Sequence, residues 1–209
     1  MRNSREPILT PIPIGRLRPT QISVGLREVE RKRLQWRGQG EDGGRFLGRH
    51  MIPVVLGPKS RPYVIDHHHL ARALLDEGQS DVLTTVVADL HCLTQPAFWI
   101  FLDNRGWLHP FDATGKRRDY SAIPKSIAKL EDDPFRSLAG AVRESGGYAK
   151  DTTPFSEFIW ADYFRRRIKR TKIDKHYDNT VLHALKLARA HDAAFMPGWC
   201  GEDHKITAV

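Results

Sequence analysis

The chain has 209 residues, and its 33 Lys+Arg against 25 Asp+Glu leave a formal charge of +8 at pH 7. Hydrophobic residues at 40% and charged residues at 28% are ordinary globular values and exclude wholesale disorder. Two cysteines, Cys92 and Cys200, exclude a disulfide framework and a Cys-rich structural zinc site, and they read as two reduced, unrelated thiols. No apolar run approaches the ~20 residues that cross a bilayer. The N-terminus places Pro and charge where a signal peptide needs an apolar stretch, so a cytoplasmic protein without a membrane partner is expected. An isoelectric point near 9.7 points to a polyanionic partner, a nucleic acid or a phosphate-bearing ligand.

In chain order, residues 1–16 hold Pro7, Pro11 and Pro13 without periodicity and read as an N-terminal arm. An extended piece, Leu17-Arg18-Pro19-Thr20-Gln21, follows. Leu26, Val29, Arg33 and Trp36 then recur at helical spacing, and Gly38, Gly40, Gly43 and Gly44 predict a flexible polar loop. Met51–Leu56 and Tyr63–Ile65 are strand candidates joined by a Gly-Pro-Lys-Ser-Arg turn. Asp66 is placed to cap a helix over HHHLARALLDEG, which Gly78 ends, and the β-branched run Val82–Ala88 is a third strand. Strand–strand–helix–strand order predicts a small α+β core over residues 17–92. From residue 93 to 209 the pattern is helical, with TQPAFWIFLDNRGW, IPKSIAKLEDD, FRSLAGAVRESGG, PFSEFIWADYFRRRIKR and YDNTVLHALKLARAHDAAF as the expected helices.

Two constellations could carry chemistry. Asp66, His67, His68 and His69 stand at a strand-to-helix junction, where unpaired backbone N–H groups and the positive helix end suit phosphate. Histidine there can donate to phosphate oxygens or act as general acid or base, and Asp66 can hold a metal, orient a histidine or cap the helix. Consecutive helical residues point about 100° apart, so no structural zinc site is expected. The second is Arg165, Arg166, Arg167, Lys169, Arg170 and Lys172, six basic residues in eight, readable as a phosphate-backbone surface or as a solvated helix end. Asp132-Asp133-Pro134 reads as helix capping. Trp99, Trp107, Phe101 and Phe111 around Gly106 read as packing rather than a stacking platform. His176, His183 and His191 come at steps of seven and eight and share a helix face.

The ordered segments LRPTQ, IPVVL, YVIDHHHLARAL and VLTTVVADL resemble the core of the ParB/sulfiredoxin superfamily, in its ParB-like nuclease branch. FW at 98–99, DDPFRSLAG, GGYAK, PFSEFIWADYF and PGWCG resemble the longer ParB-like branch as well. That family's turn runs Asp-Gly-His-His-Arg, with an Ala three residues after the last Arg. Here Asp66, His68, His69 and Ala73 match, while His67 replaces the Gly and Leu70 the Arg. The resemblance implies a small mixed-sheet core with a mostly helical C-terminal extension. It also implies a nucleotide or phosphate site at the turn, with phosphoryl transfer or phosphodiester cleavage as its chemistry. Asp66, His68 and His69 are then the expected catalytic set, with Asp66 as a Mg²⁺ ligand and a nucleoside triphosphate as the other cofactor. His67, Arg72 and Gln21 form the expected phosphate-contacting set. Gln21 stands where the serine-kinase branch has a Glu that acts as base, and Arg72 lies on another helix face than Leu70. Glu28 is a substitute acid, although its spacing assigns it to a solvated helix face. Gln21 and Leu70 favour the competing expectation, a non-catalytic DNA- or partner-binding protein that uses the core as scaffold and Arg165–Lys172 as contact surface; the three histidines favour the enzyme, since a decayed site has no need of them.

Overall fold

The computed structural model describes residues 10–201. Its centre is a curled five-stranded mixed sheet built from β1 (Thr10–Pro13), β2 (Arg18–Pro19), β4 (Ile52–Gly57), β5 (Arg61–Val64) and β6 (Asp81–Asp89), in the order β1-β6-β4-β5-β2. β4 runs antiparallel to β5 and parallel to β6, with a register shift between Val54 and Val55. A second sheet joins β3 (Ser23–Val24) in parallel to β7 (Glu131–Asp132). The helices are α1 (Leu26–Arg37), α2 (Gly43–Arg49), α3 (His68–Asp76), α4 (Gln95–Asn104), α5 (Pro134–Glu144), α6 (Ser156–Arg165), α7 (Arg170–Lys175) and α8 (Tyr177–Arg189).

The pleat sends neighbouring side chains to opposite faces of the main sheet. Ile52, Val54 and Val64 pack on one side with Val29, Leu70, Ala73 and Leu74 of α1 and α3. Val55 and Tyr63 pack on the other with Phe98 and Leu102 of α4. A third cluster, with Trp160, Phe164, Leu138 and Ile173 fully buried, holds α5 to α8 together. The α+β core with a helical extension is therefore present.

Several local expectations change. Residues 1–9 of the expected arm lie outside the described residues, but Thr10–Pro13 are an edge strand paired antiparallel with β6. The Gly38–Gly44 loop is partly helical, because Phe46 of α2 buries against Trp36, ring centroids 5.8 Å apart. IPKSIAKLEDD is not a helix: Ser126 caps a single 3-10 turn, and Glu131–Asp132 are drawn into the pairing with β3. PFSEFIWADYFRRRIKR breaks after Arg165, where Ile168 turns inward and α7 restarts at Arg170. The Asp pair does cap helices: Asp133 accepts from the Phe135 N–H at 3.0 Å, and Asp132 from the Leu26 N–H at 2.9 Å. Both cysteines are free and exposed. Among the described residues no helix is long and apolar enough to cross a membrane.

Candidate phosphate-binding cleft

The junction between β5 and α3 opens onto a cleft of about 700 Å³, with Gln21, Glu28, Lys32 and His50 on one side and Arg105–Trp107, Lys150 and Thr153–Phe158 on the other. Asp66 does not cap α3 through its side chain. The residue before the helix is His67, whose φ of 63° is left-handed, and Asp66 Oδ1 accepts only the His67 N–H, at 2.6 Å. A left-handed residue here accounts for the Gly of the family's turn, since Gly takes that conformation without steric cost. Asp66 and His67 are exposed; His68 and His69 are buried.

The two buried rings are already engaged. His68 Nε2 accepts the Thr20 N–H at 3.2 Å, and the Thr20 hydroxyl donates to the Val64 carbonyl at 2.7 Å. His69 Nε2 accepts the Gly25 N–H at 3.0 Å. A ring nitrogen that accepts from an N–H carries no proton, so both imidazoles are neutral with the proton on Nδ1. Burial pushes His68 down to about 3, with the neighbouring His69 adding to it; burial and then Arg136 do the same for His69. Neither ring is a proton donor near neutral pH. They fasten the start of α3 to the chain entering β3 and α1. At Gly25 the backbone runs so close to α5 that an added Cβ would sit 2.7 Å from the Ser137 nitrogen.

Glu28 is in the cleft wall, not on a solvated face. Its side chain is 10% exposed, 3.5 Å from His69 Nε2 and 2.9 Å from the buried Arg136 guanidinium. Burial alone would raise the carboxyl; His69, Arg136, Arg31 and Arg143 outweigh it and hold Glu28 near 2, which makes it a weak base. Arg136 also pairs with Glu157, which in turn pairs with Arg143, so α1, α5 and α6 meet in one ion network. At the rim, Lys32, Lys150 and Arg105 have no carboxylate partner among the described residues. The Arg105 guanidinium lies 4.8 Å over the Trp107 ring, and Phe155 holds a second left-handed backbone, φ 57°.

The remaining expected site residues are distributed as follows. Gln21 is buried at the cleft floor, its amide donating to the Ser23 carbonyl at 2.7 Å. Arg72 is held by Asp76 at 2.9 Å and does not line the cleft. Arg165 points inward to Asp133 at 2.6 Å and to Asp162, while Arg166, Arg167, Lys169, Arg170 and Lys172 are exposed. Arg136, Glu157 and Lys150 escaped the sequence reading, which assigns Glu28 to a solvated face and Trp107 to packing although both line the cleft. The available signal was the set of later segments, DDPFRSLAG, GGYAK and PFSEF, each of which delivers a residue to this cleft. No cluster of three His, Cys, Asp or Glu able to hold a metal occurs among the described residues.

A mixed sheet whose strand runs through a left-handed turn into a helix N-terminus, roofed by a helical extension, is a ParB-like α+β architecture. Residues 10–166 match the family described as "Putative ParB-like nuclease", and the chain belongs to that family. Among solved structures it is similar to the crystal structure of protein Atu1540 from Agrobacterium tumefaciens. The two share 53% identity and a TM-score of 0.87 over 93% of this chain and 99% of that one. No curated protein matches the sequence.

Proposed function

We propose that the cleft binds a phosphate-bearing ligand of the nucleotide class, with its phosphates against the first turn of α3. The supporting observation is the meeting of that helix N-terminus with the unpaired cations Lys32, Lys150 and Arg105 across a cleft of about 700 Å³. The first N–H groups of a helix lack internal partners and, with the helix dipole, favour phosphate oxygens. The volume lies in the range of small-ligand sites, ~300–1,000 Å³, and Trp107, with the Arg105 guanidinium over its ring, lines the same cleft.

Asp66 and His67 are the exposed acid and imidazole of the turn, so proton transfer in phosphoryl transfer or phosphodiester cleavage falls to them. His68 and His69 are positioning residues. Asp66 fits as a single carboxylate anchor for Mg²⁺, which takes one or two carboxylates together with substrate phosphates and would neutralise phosphate charge when bound. Arg136 spends its two terminal nitrogens on Glu28 and Glu157 and serves the wall, while Lys150 is exposed beside the cleft and has no carboxylate to leave among the described residues.

The test is a melting curve with ATP, CTP, GTP and UTP, each with and without Mg²⁺, on the wild type and on Lys32→Ala/Lys150→Ala. At 100 times Kd, binding stabilises by about 2.7 kcal/mol. One nucleotide should raise the wild-type Tm, and the variant should lose most of that rise while melting normally alone. No rise with any nucleotide, or an equal rise in the variant, would overturn the assignment.

A further inference from the structure

A second concavity of about 590 Å³ lies where α6 ends and α7 meets α8, lined by Arg167, Ile168, Lys169, Lys172, His176, Asn179, Thr180 and His183. It falls beyond residues 10–166 that match the family, and it shares no residue with the cleft. We infer that it is a second oxyanion site, one that takes clustered phosphates, from a free polyphosphate or from a nucleic-acid backbone.

The lining contains three permanent cations and two imidazoles but no Asp or Glu. Among the described residues Arg167, Lys169 and Lys172 have no carboxylate partner, whereas their neighbour Arg170 has Asp174 at 3.8 Å and Arg165 has Asp133. The basic run of the sequence is thus sorted by the fold: Arg165 serves the interior, and Arg167, Lys169 and Lys172 face the concavity. Like charges gathered without counter-charge repel one another, and an anion bound among them removes that cost.

The site is also built. The break after Arg165 bends the chain, so that one lysine comes from the turn and one from α7. Asn179, Thr180 and His183 recur at three- and four-residue steps on one face of α8, and His176 stands just before its first residue. Arg167 is fixed in place, its guanidinium 3.7 Å over the Tyr163 ring and donating to the Tyr163 carbonyl at 3.2 Å. Thr180 anchors the floor, its hydroxyl 2.7 Å from the His176 carbonyl and 3.0 Å from that of Lys172. Imidazole, guanidinium and ammonium donors converging on one concavity match the many oxygen acceptors of adjacent phosphates.

The experiment uses the full chain carrying Lys32→Ala/Lys150→Ala, so that the cleft does not contribute, with and without Lys169→Ala/Lys172→Ala/His183→Ala. All three of these side chains are exposed, and circular dichroism checks that the fold is retained. One arm titrates inorganic tripolyphosphate by calorimetry; the other titrates a 20-base-pair duplex by anisotropy at two salt concentrations. At least one probe should bind, and the triple substitution should weaken it tenfold or more. For the duplex, the log–log salt dependence should become shallower by about 0.9 for each phosphate contact removed. Tripolyphosphate alone binding identifies a free polyphosphate; the duplex alone identifies a nucleic-acid backbone. Binding by neither probe, or equal binding by the substituted chain, overturns the proposal whatever the cleft does with nucleotides.

Discussion

Three successive histidines have three different environments. His67 carries the strain of a left-handed backbone and reaches solvent, while His68 and His69 each accept a buried backbone N–H. Replacing either acceptor leaves a buried donor unpaired, at about 1–3 kcal/mol, and opens a cavity besides. His68→Ala and His69→Ala should therefore each cost about 2–4 kcal/mol of folding stability in urea titration. His67→Gly should be neutral or stabilising by up to about 1 kcal/mol, because it relieves the left-handed strain. A His68→Ala or His69→Ala protein as stable as wild type would mean these rings do not tie α3 to the chain at Thr20 and Gly25. The sequence makes His68 and His69 catalytic candidates; their bonds to distant backbone make their substitution a test of the fold instead.

Among the elements, the helical roof and the core are joined by Arg136. Its guanidinium bonds Glu28 of α1 and Glu157 of α6 from a buried position on α5. Removing one partner of a buried ion network leaves uncompensated charge and costs about 3–5 kcal/mol. Arg136→Met should lower stability by about that amount, and Glu28→Gln added to it should recover part of the loss. If the double variant were no more stable than Arg136→Met, the penalty would not come from a stranded carboxylate. The left-handed Phe155 and the Gly106–Pro154 contact hold the loop that completes the cleft, so the roof contributes both walls and cations.

For the whole molecule, three buried imidazoles set the response to acid. His68, His69 and His109 are each held near 3, in every case chiefly by burial, with Arg136 next for His69 and His109 and His69 next for His68. Above pH 6.5 they are neutral in both states and do not alter stability. Below it the unfolded chain takes up protons that the folded chain refuses, so stability falls with acidification. Each group contributes a slope of about 1.4 kcal/mol per pH unit, so the three together give roughly 4 kcal/mol per unit once the unfolded histidines are protonated. Glu28 has the opposite chemistry: ionised in both states above 4.5, it begins to lose its contribution only below that value, as pH falls toward 2. Urea midpoints between about pH 6.5 and 5.5, above the range in which unfolded carboxyls take up protons, therefore read chiefly the histidines. A flat profile across that window would show that the rings are accessible to protons in the folded state.

What the sequence determined by itself was whatever short-range chemistry dictates. Apolar periodicity placed α1 and α3, β-branched runs placed β4 to β6, and the ordered motifs with Asp66-His67-His68-His69 located the turn and its family. Only the tertiary structure decided which side chains share a site, because that depends on contacts between distant segments. Glu28 looked solvated on its own helix, and its side chain is largely covered because α5 and α6 lay Arg136 and Glu157 against it. The same holds for IPKSIAKLEDD, whose helical pattern lost to strand pairing with β3, and for Arg165, drawn inward by Asp133. Asp66-His67-His68-His69 was read as one constellation, but a left-handed φ at His67 and two distant N–H groups divide it into an exposed pair and a buried pair. Local pattern reports propensity; burial and charge compensation belong to the assembled chain.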